Sequence, residues 1–319
     1  MRYIYILLFI TGIVSSTLWS QEDIHHQLYQ ALLLEQQGQF EKVILKVPPL
    51  IASNAFSQVE YGRAWTLLGY AYKEQGRFQE AQNAYEHSLR ILEGDTEHIA
   101  DYANTLDYFA RFYRAIGQQQ TAMQMWSKAA RIDEQRNNHS GLARIYISLA
   151  GLAIEQHHVN DARKSLARAI VESKLTNEMT SDDDATLSVT EAWIASTNGK
   201  HAEAVLGYRE ALKLWKRGHG EEHPLTGWGY LLLGQAYTAN NQLQDAIVSM
   251  QQGLTILSKT VGVENPKYLT GEVLYSQALD RSGQHVEASQ LRAKAEGALE
   301  TLLTHQCINC SVSTASLQK

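Results

Sequence analysis

The 319-residue chain is poor in proline, in cysteine and in excess positive charge, and each shortage excludes something. It has 4 prolines against 21 glycines, and runs of β-branched residues are scarce while Ala, Leu and Gln are frequent. Ala and straight-chain residues lose little freedom in a helix, so this balance favours helix over strand. There are 28 basic and 34 acidic residues, a net charge of −6. A chain with no overall basic field is a poor match for nucleic acid as its main ligand. The two cysteines, Cys307 and Cys310, sit in a polar tail. In an oxidising compartment such a pair forms a small local disulfide or stays as two idle thiols. A redox Cys-x-x-Cys motif needs a strand–helix setting that this tail lacks, and one such pair is only half a zinc site.

Long apolar runs are missing except at the start. Met1-Arg2 is followed by an almost wholly apolar stretch from Ile4 to Val14, then by Ser15, Ser16, Thr17, Leu18, Trp19 and Ser20. That is the layout of a secretory signal peptide over residues 1–20. Cleavage after Ser20 is expected, with Ser16 the second choice. The alternative is an uncleaved anchor, for which the apolar stretch is short. The first reading gives an exported, periplasmic or extracellular protein, the second an inner-membrane-anchored one.

What the chain does have is an internal repeat. Gly38, Gly76, Gly117, His157, Gly199, Asn241 and Gly283 each follow a helical-period apolar segment, and the steps between them are 38, 41, 40, 42, 42 and 42 residues. Five residues after each stands Val43, Ala81, Ala122, Ala162, Ala204, Ala246 or Ala288. Apolar residues at spacings of three and four flank every mark, as on one helix face. A Gly or Asn between two helices suits a left-handed C-cap. Small residues such as Gly69 and Gly234 let paired helices approach, and Tyr72, Tyr85, Tyr113 and Trp126 fill the space between them. A single hairpin cannot bury its own apolar face, whereas a stack of hairpins makes a continuous core.

Trp65-x-x-Leu68-Gly69-x-x-Tyr72-x-x-x-Gly76-x-x-x-x-Ala81-x-x-x-Tyr85, with Leu233-Gly234-x-x-Tyr237, resembles the tetratricopeptide repeat family. The 42-residue step looks like the kinesin-light-chain subtype, whose linker is echoed in Gly220-Glu221-Glu222-His223-Pro224 and again in Gly262-Val263-Glu264-Asn265-Pro266. The resemblance implies an all-α, right-handed superhelical solenoid of about seven helix-turn-helix repeats over residues 21–303. Its units fall near 24–57, 62–95, 103–136, 143–176, 185–217, 227–260 and 269–303, ahead of a flexible tail at 304–319. Lys46-Val47-Pro48-Pro49 is expected to cut the second helix of the first unit short. Asp182-Asp183-Asp184 is expected to cap the helix that follows and complement its dipole. A calcium site there would need ligands spread through a loop with a turn glycine.

In the family, the concave wall is lined by outward positions of each first helix. Carried onto this sequence, these are Arg63, Tyr70 and Lys73, then Asp107, Tyr108, Arg111 and Arg114, then Arg144, then Trp193, Trp228 and Gln235. The first half of such a groove reads as basic and the second as aromatic. A basic groove favours an acidic segment or a chain-end carboxylate. The lysine, asparagine and arginine clamp of co-chaperone members does not match at these positions.

Candidate chemistry is thin. His219-Gly220-Glu221-Glu222-His223 has two histidines four apart, but lacks the glutamate of a zinc-protease helix and runs into Pro224. A metal-dependent hydrolase built on it is the weakest alternative. No nucleophile elbow or phosphate-binding loop is present, so neither enzymatic activity nor a cofactor is expected. The expectation is an exported scaffold that binds protein or peptide along its concave face. The alternative is a membrane-tethered assembly factor held by the uncleaved N-terminal segment.

Overall fold

A computed structural model describes residues 21–306. The segment read as a signal peptide and the pair Cys307 and Cys310 lie outside the described residues. Among those described, the chain forms fourteen helices and no strand. They pair into seven antiparallel hairpins: α1 (Gln21–Gln36) with α2 (Phe40–Ala52), α3 (Gln58–Glu74) with α4 (Phe78–Leu92), α5 (Ile99–Ala115) with α6 (Gln119–Arg136), and α7 (His139–Glu155) with α8 (Val159–Ser173). There follow α9 (Ser181–Thr197) with α10 (His201–His219), α11 (Pro224–Ala239) with α12 (Leu243–Thr260), and α13 (Pro266–Arg281) with α14 (His285–Gln306). This is the solenoid that the repeat pattern implies.

The repeat marks have a backbone cause. All seven residues between paired helices take a left-handed conformation, with φ from 61° at His157 to 91° at Gly283 at six of them, and 59° at Asn241. At Gly76 the N–H bonds back to Lys73 and the N–H of Arg77 to Tyr72, which satisfies the last carbonyls of α3. The residue five positions later is fully buried in every unit, because it is the point of closest approach between the paired helices. A Cβ on Gly69 would lie 2.9 Å from the Tyr85 ring.

Side-chain caps set the starts of α3, α7, α9, α11 and α13, the first helices of their hairpins. Ser57 with Glu60 and Thr180 with Asp183 form capping boxes, and Asn138 accepts from the N–H of Gly141 at 3.1 Å. In the acidic triplet, Asp183 is therefore the N3 partner of the cap rather than the cap. His223 and Asn265 do the same job 42 residues apart: Nδ1 of His223 accepts from Leu225 N–H, and Oδ1 of Asn265 accepts from Lys267 N–H. Each precedes a proline at the first helical position, where a missing N–H is harmless.

One local expectation is overturned. α2 does not stop at Pro48-Pro49 but runs through both to Ala52. Each interior proline costs about 3 kcal/mol. Val43, Val47 and Leu50 are buried on the same helix, and burying side chains of this size returns about 1.5–3 kcal/mol each.

The superhelix closes on itself. Five hairpins bring the chain round, so the first and second hairpins meet the sixth and seventh. A Cβ on Gly38 would lie 2.5 Å from Pro224 Cδ, and one on Gly76 would lie 2.7 Å from Pro266 Cδ. Asn265 donates to the Glu74 carbonyl at 2.8 Å, and His219 Nδ1 lies 3.1 Å from the Gln36 carbonyl. Leu28, Phe40 and Leu67 share one apolar cluster with Leu231, Met250 and Leu274. Leu302 and Leu303 of α14 pack on the cluster around Tyr85, Phe109 and Trp126.

Candidate functional site

Two cavities open on the inner wall. The first, about 530 Å3, lies between α1, α3 and α5 and is lined by Tyr29, Leu32, Glu35, Arg63, Tyr70 and Tyr108 among others. The second, about 690 Å3, is lined by Arg114, Trp193, Trp228, Leu232 and Arg281 among others, on helices from α5 to α13. Arg63, Tyr70 and Tyr108 thus come together in one cavity, and Arg114, Trp193 and Trp228 in the other. Lys73, Arg111 and Arg144 line neither.

The cations do not make a basic strip. Arg63 grips Asp101 with two nitrogens at 2.6 and 2.9 Å, and Arg111 lies 3.0 Å from Asp107. Arg114 pairs with Glu155 at 2.7 Å and Arg144 with Asp183 at 3.0 Å. Lys73 pairs with Glu74 at 2.6 Å, and Glu74 also holds Lys267 from α13. Every arginine or lysine that made the groove read as basic is matched by a carboxylate. The reading of a basic groove for an acidic ligand is corrected accordingly, because each of these positive charges is balanced within the protein.

Several pairs are structural. Asp107 also accepts from the indole N–H of the fully buried Trp126 at 2.8 Å. The Arg111 guanidinium is held charged by Asp107, which outweighs the cost of its burial. Burial pushes the Glu74 carboxyl up, yet Lys267 and Lys73 hold it down at about 2. Lys73 is pushed down by burial. Its ammonium also sits 4.7 Å from the centre of the Tyr70 ring.

Glu35 is the exception. Its carboxyl has no ion-pair or hydrogen-bond partner among the described residues, and burial, then Glu74 and Asp182, raise it to about 7. Tyr70 and Tyr108 stand edge to face beside it, 5.4 Å between centroids, and burial raises the phenols, Tyr108 to about 12. Sequence reasoning named no inner-wall residue in the first unit. The signal was present: Glu35 stands three residues before Gly38, as Lys73 and Arg114 stand three before Gly76 and Gly117.

The two spaced histidines lie at the closure. His219 ends α10 and His223 caps α11, their rings stacked at 4.1 Å. His219 Nε2 contacts Asp182 at 2.7 Å while Nδ1 faces the Gln36 carbonyl. Two acceptors ask for two N–H donors, and the hydrogen bond to Asp182 raises the His219 pKa above its ordinary value. His223 accepts through Nδ1, and burial, then His219, lower it to about 4. Among the described residues no group of three or more His, Cys, Asp or Glu could hold a metal ion.

Sequence profiles for the tetratricopeptide repeat match residues 62–95 and 192–259. In structure the chain is similar to a Rap protein complexed with Competence and Sporulation Factor, at 13% identity over 90% of this chain and 100% of that one, TM-score 0.58. It is similar also to the apo form of RapI, at 11% identity over 88% and 99%, TM-score 0.59. Kinesin light chain TPR-like repeats of Podosopora anserina superpose loosely, at 19% identity over 79% and 100%, TM-score 0.38. The two Rap likenesses show a shared fold. No curated protein matches the chain. Profiles and fold together define a class: a helical-repeat solenoid that carries tetratricopeptide repeats over the matched residues.

Proposed function

We propose that the protein is an exported scaffold that takes an extended segment of a partner protein, or a peptide, into the groove inside its closed superhelix. The observation that carries this is the pair of inner cavities, about 530 and 690 Å3, whose linings include the partly or fully exposed aromatic side chains of Tyr29, Tyr70, Tyr108, Trp193 and Trp228. Tyr29 and Leu32 are 57% and 41% exposed at the first of them, and Trp193 and Trp228 face the second. Aromatic residues in concave, partly desolvated positions are the usual anchors of an interface. The Rap protein of similar fold, complexed with Competence and Sporulation Factor, supports a scaffold of this kind as a receiver of a ligand. Export rests on the layout of residues 1–20. No helix of the described residues is long and apolar enough to cross a membrane.

Capture from the exported fraction tests the scaffold. Wild-type protein is expected to retain a specific polypeptide that Trp193→Ala together with Tyr29→Ala releases, with the helical content unchanged. Retention by the double variant at wild-type level would place binding elsewhere. N-terminal sequencing tests export: a mature chain starting near Gln21 is expected, and a chain starting at Met1 would favour the tethered alternative.

A further inference from the structure

We propose that the first inner cavity is a cation subsite, which takes an arginine or lysine side chain of the bound segment between the Glu35 carboxyl and the rings of Tyr70 and Tyr108. This rests on the peptide-groove reading and names the ligand chemistry of one part of it.

Three carboxyls, Glu35, Glu60 and Asp101, line the cavity against one guanidinium, Arg63. Arg63 is committed to Asp101 through two hydrogen bonds, and Glu60 is engaged by Ser57 and His25. Glu35 has no such partner. The groups that face it from the packed elements are Lys73 and Glu74 on α3, Asp182 on α9 and His219 on α10. Lys73 is held by Glu74 and His219 by Asp182, so neither cation is free to close on Glu35. The free protein therefore carries a carboxyl whose natural counter-charge is missing.

The walls fit the same ligand. A cation beside a carboxylate gains further from the electron-rich face of an aromatic ring, and more as the site becomes drier. Tyr108 supplies one ring, and Tyr70, whose ring already has the Lys73 ammonium 4.7 Å from its centre, stands edge to face beside it and completes the wall. Tyr29 and Leu32 stand exposed at the mouth, placed for the aliphatic stem of a long side chain or for its neighbours. Asn104, exposed on the same wall, offers an amide donor and acceptor to a peptide backbone. An acidic side chain in this cavity would meet Glu35, Glu60 and Asp101 instead.

Two probe peptides decide it, acetylated and amidated Ala-Leu-Arg-Leu-Ala and the same sequence with citrulline for arginine, which keeps shape and removes charge. Both are titrated against the full chain at pH 8 by calorimetry. The arginine peptide is expected to bind at least tenfold more tightly, and Glu35→Gln to abolish that ratio while leaving the citrulline affinity in place. The preference is also expected to fade as pH falls through 7 in the wild type. Tyr108→Leu, which spares every ion pair, is expected to reduce the ratio as a second, independent variant. Equal affinity for the two peptides in the wild type would overturn the subsite and leave the peptide groove standing. A ratio unchanged in Glu35→Gln would overturn Glu35 as its anchor. Absence of binding by either peptide at millimolar concentration would overturn the subsite too. The groove itself falls only if the Trp193 and Tyr29 double variant also fails to release the captured partner.

Discussion

Replacing Gly38 by Ala probes the closure of the superhelix, and Gly199→Ala supplies the control. Both glycines are left-handed, with φ of 69° and 73°, and both sit between the helices of a hairpin. An L-residue in that conformation costs about 1–2 kcal/mol, offset by about 0.4–1 kcal/mol because Ala restricts the unfolded chain. Gly199 has nothing within 4 Å of the added methyl, so its variant loses about 1 kcal/mol. At Gly38 the methyl lands 2.5 Å from Pro224 Cδ and 3.0 Å from His223 Nε2. The pyrrolidine ring cannot rotate away, and overpacking of this kind adds about 1–3 kcal/mol. If the hairpins part instead, the added cost stops at the value of the closure and the molecule expands. Urea denaturation followed by far-ultraviolet circular dichroism measures the loss, and small-angle scattering measures expansion. The expected result is a loss at Gly38 larger by about 1–3 kcal/mol, or a larger radius of gyration. Equal losses with equal radii would refute the contact between the first and sixth hairpins.

Further outcomes follow from the charges in the bore. The Glu35 carboxyl, raised from 4.5 to about 7, favours the folded state fully below pH 4.5 and loses that contribution as pH rises through 7. Glu35→Gln should therefore stabilise the protein at pH 8.5, by at most about 3 kcal/mol, and change little at pH 4; the reverse trend in urea titrations would contradict the assignment. His219, raised by its bond to Asp182, contributes fully below its unfolded value near 6.5 and loses the contribution as pH rises through its folded value. His219→Gln should cost more at pH 6 than at pH 9 in thermal melts, and a cost growing with pH would count against a charged His219. Glu74→Gln leaves Lys73 and Lys267 without their counter-charge in the interior and should cost about 3–5 kcal/mol; a loss below 1 kcal/mol would mean the seam between α3 and α13 is open in solution. Arg111→Glu sets a second carboxylate against Asp107, the acceptor of the Trp126 indole, so it should lower the melting temperature rather than act on binding alone.

The sequence pattern carried the architecture because hairpin stacking is local. A left-handed turn residue and a buried small residue five positions later are required in each unit whatever its neighbours do, so Gly76 with Ala81 and Asn241 with Ala246 stood out. Closure is not local. Nothing in a repeat register says which unit touches which, and the meeting of Gly38 with Pro224 depends on small rotations summed over five hairpins. The candidate site was half legible for the same reason. Register placed Arg63, Tyr70 and Tyr108 on the inner wall, but side-chain charge in isolation misread their effect, because Asp101 and Asp107 arrive from the same wall to cancel Arg63 and Arg111. Pro48 and Pro49 misled in the other direction: a strong local signal to stop was overridden by the burial of Val47 and Leu50.

The groove exists only if the first and second hairpins meet the sixth and seventh, and the scarcity of proline makes that meeting directly measurable. With selective carbon-13 labelling of glycine and proline, only 4 prolines contribute signals. The closed structure predicts nuclear Overhauser contacts from the α-protons of Gly38 to the δ-protons of Pro224, and from Gly76 to Pro266. Their absence in a protein that otherwise shows the hairpin contacts between α3 and α4 would contradict the closed superhelix, and with it the enclosed groove.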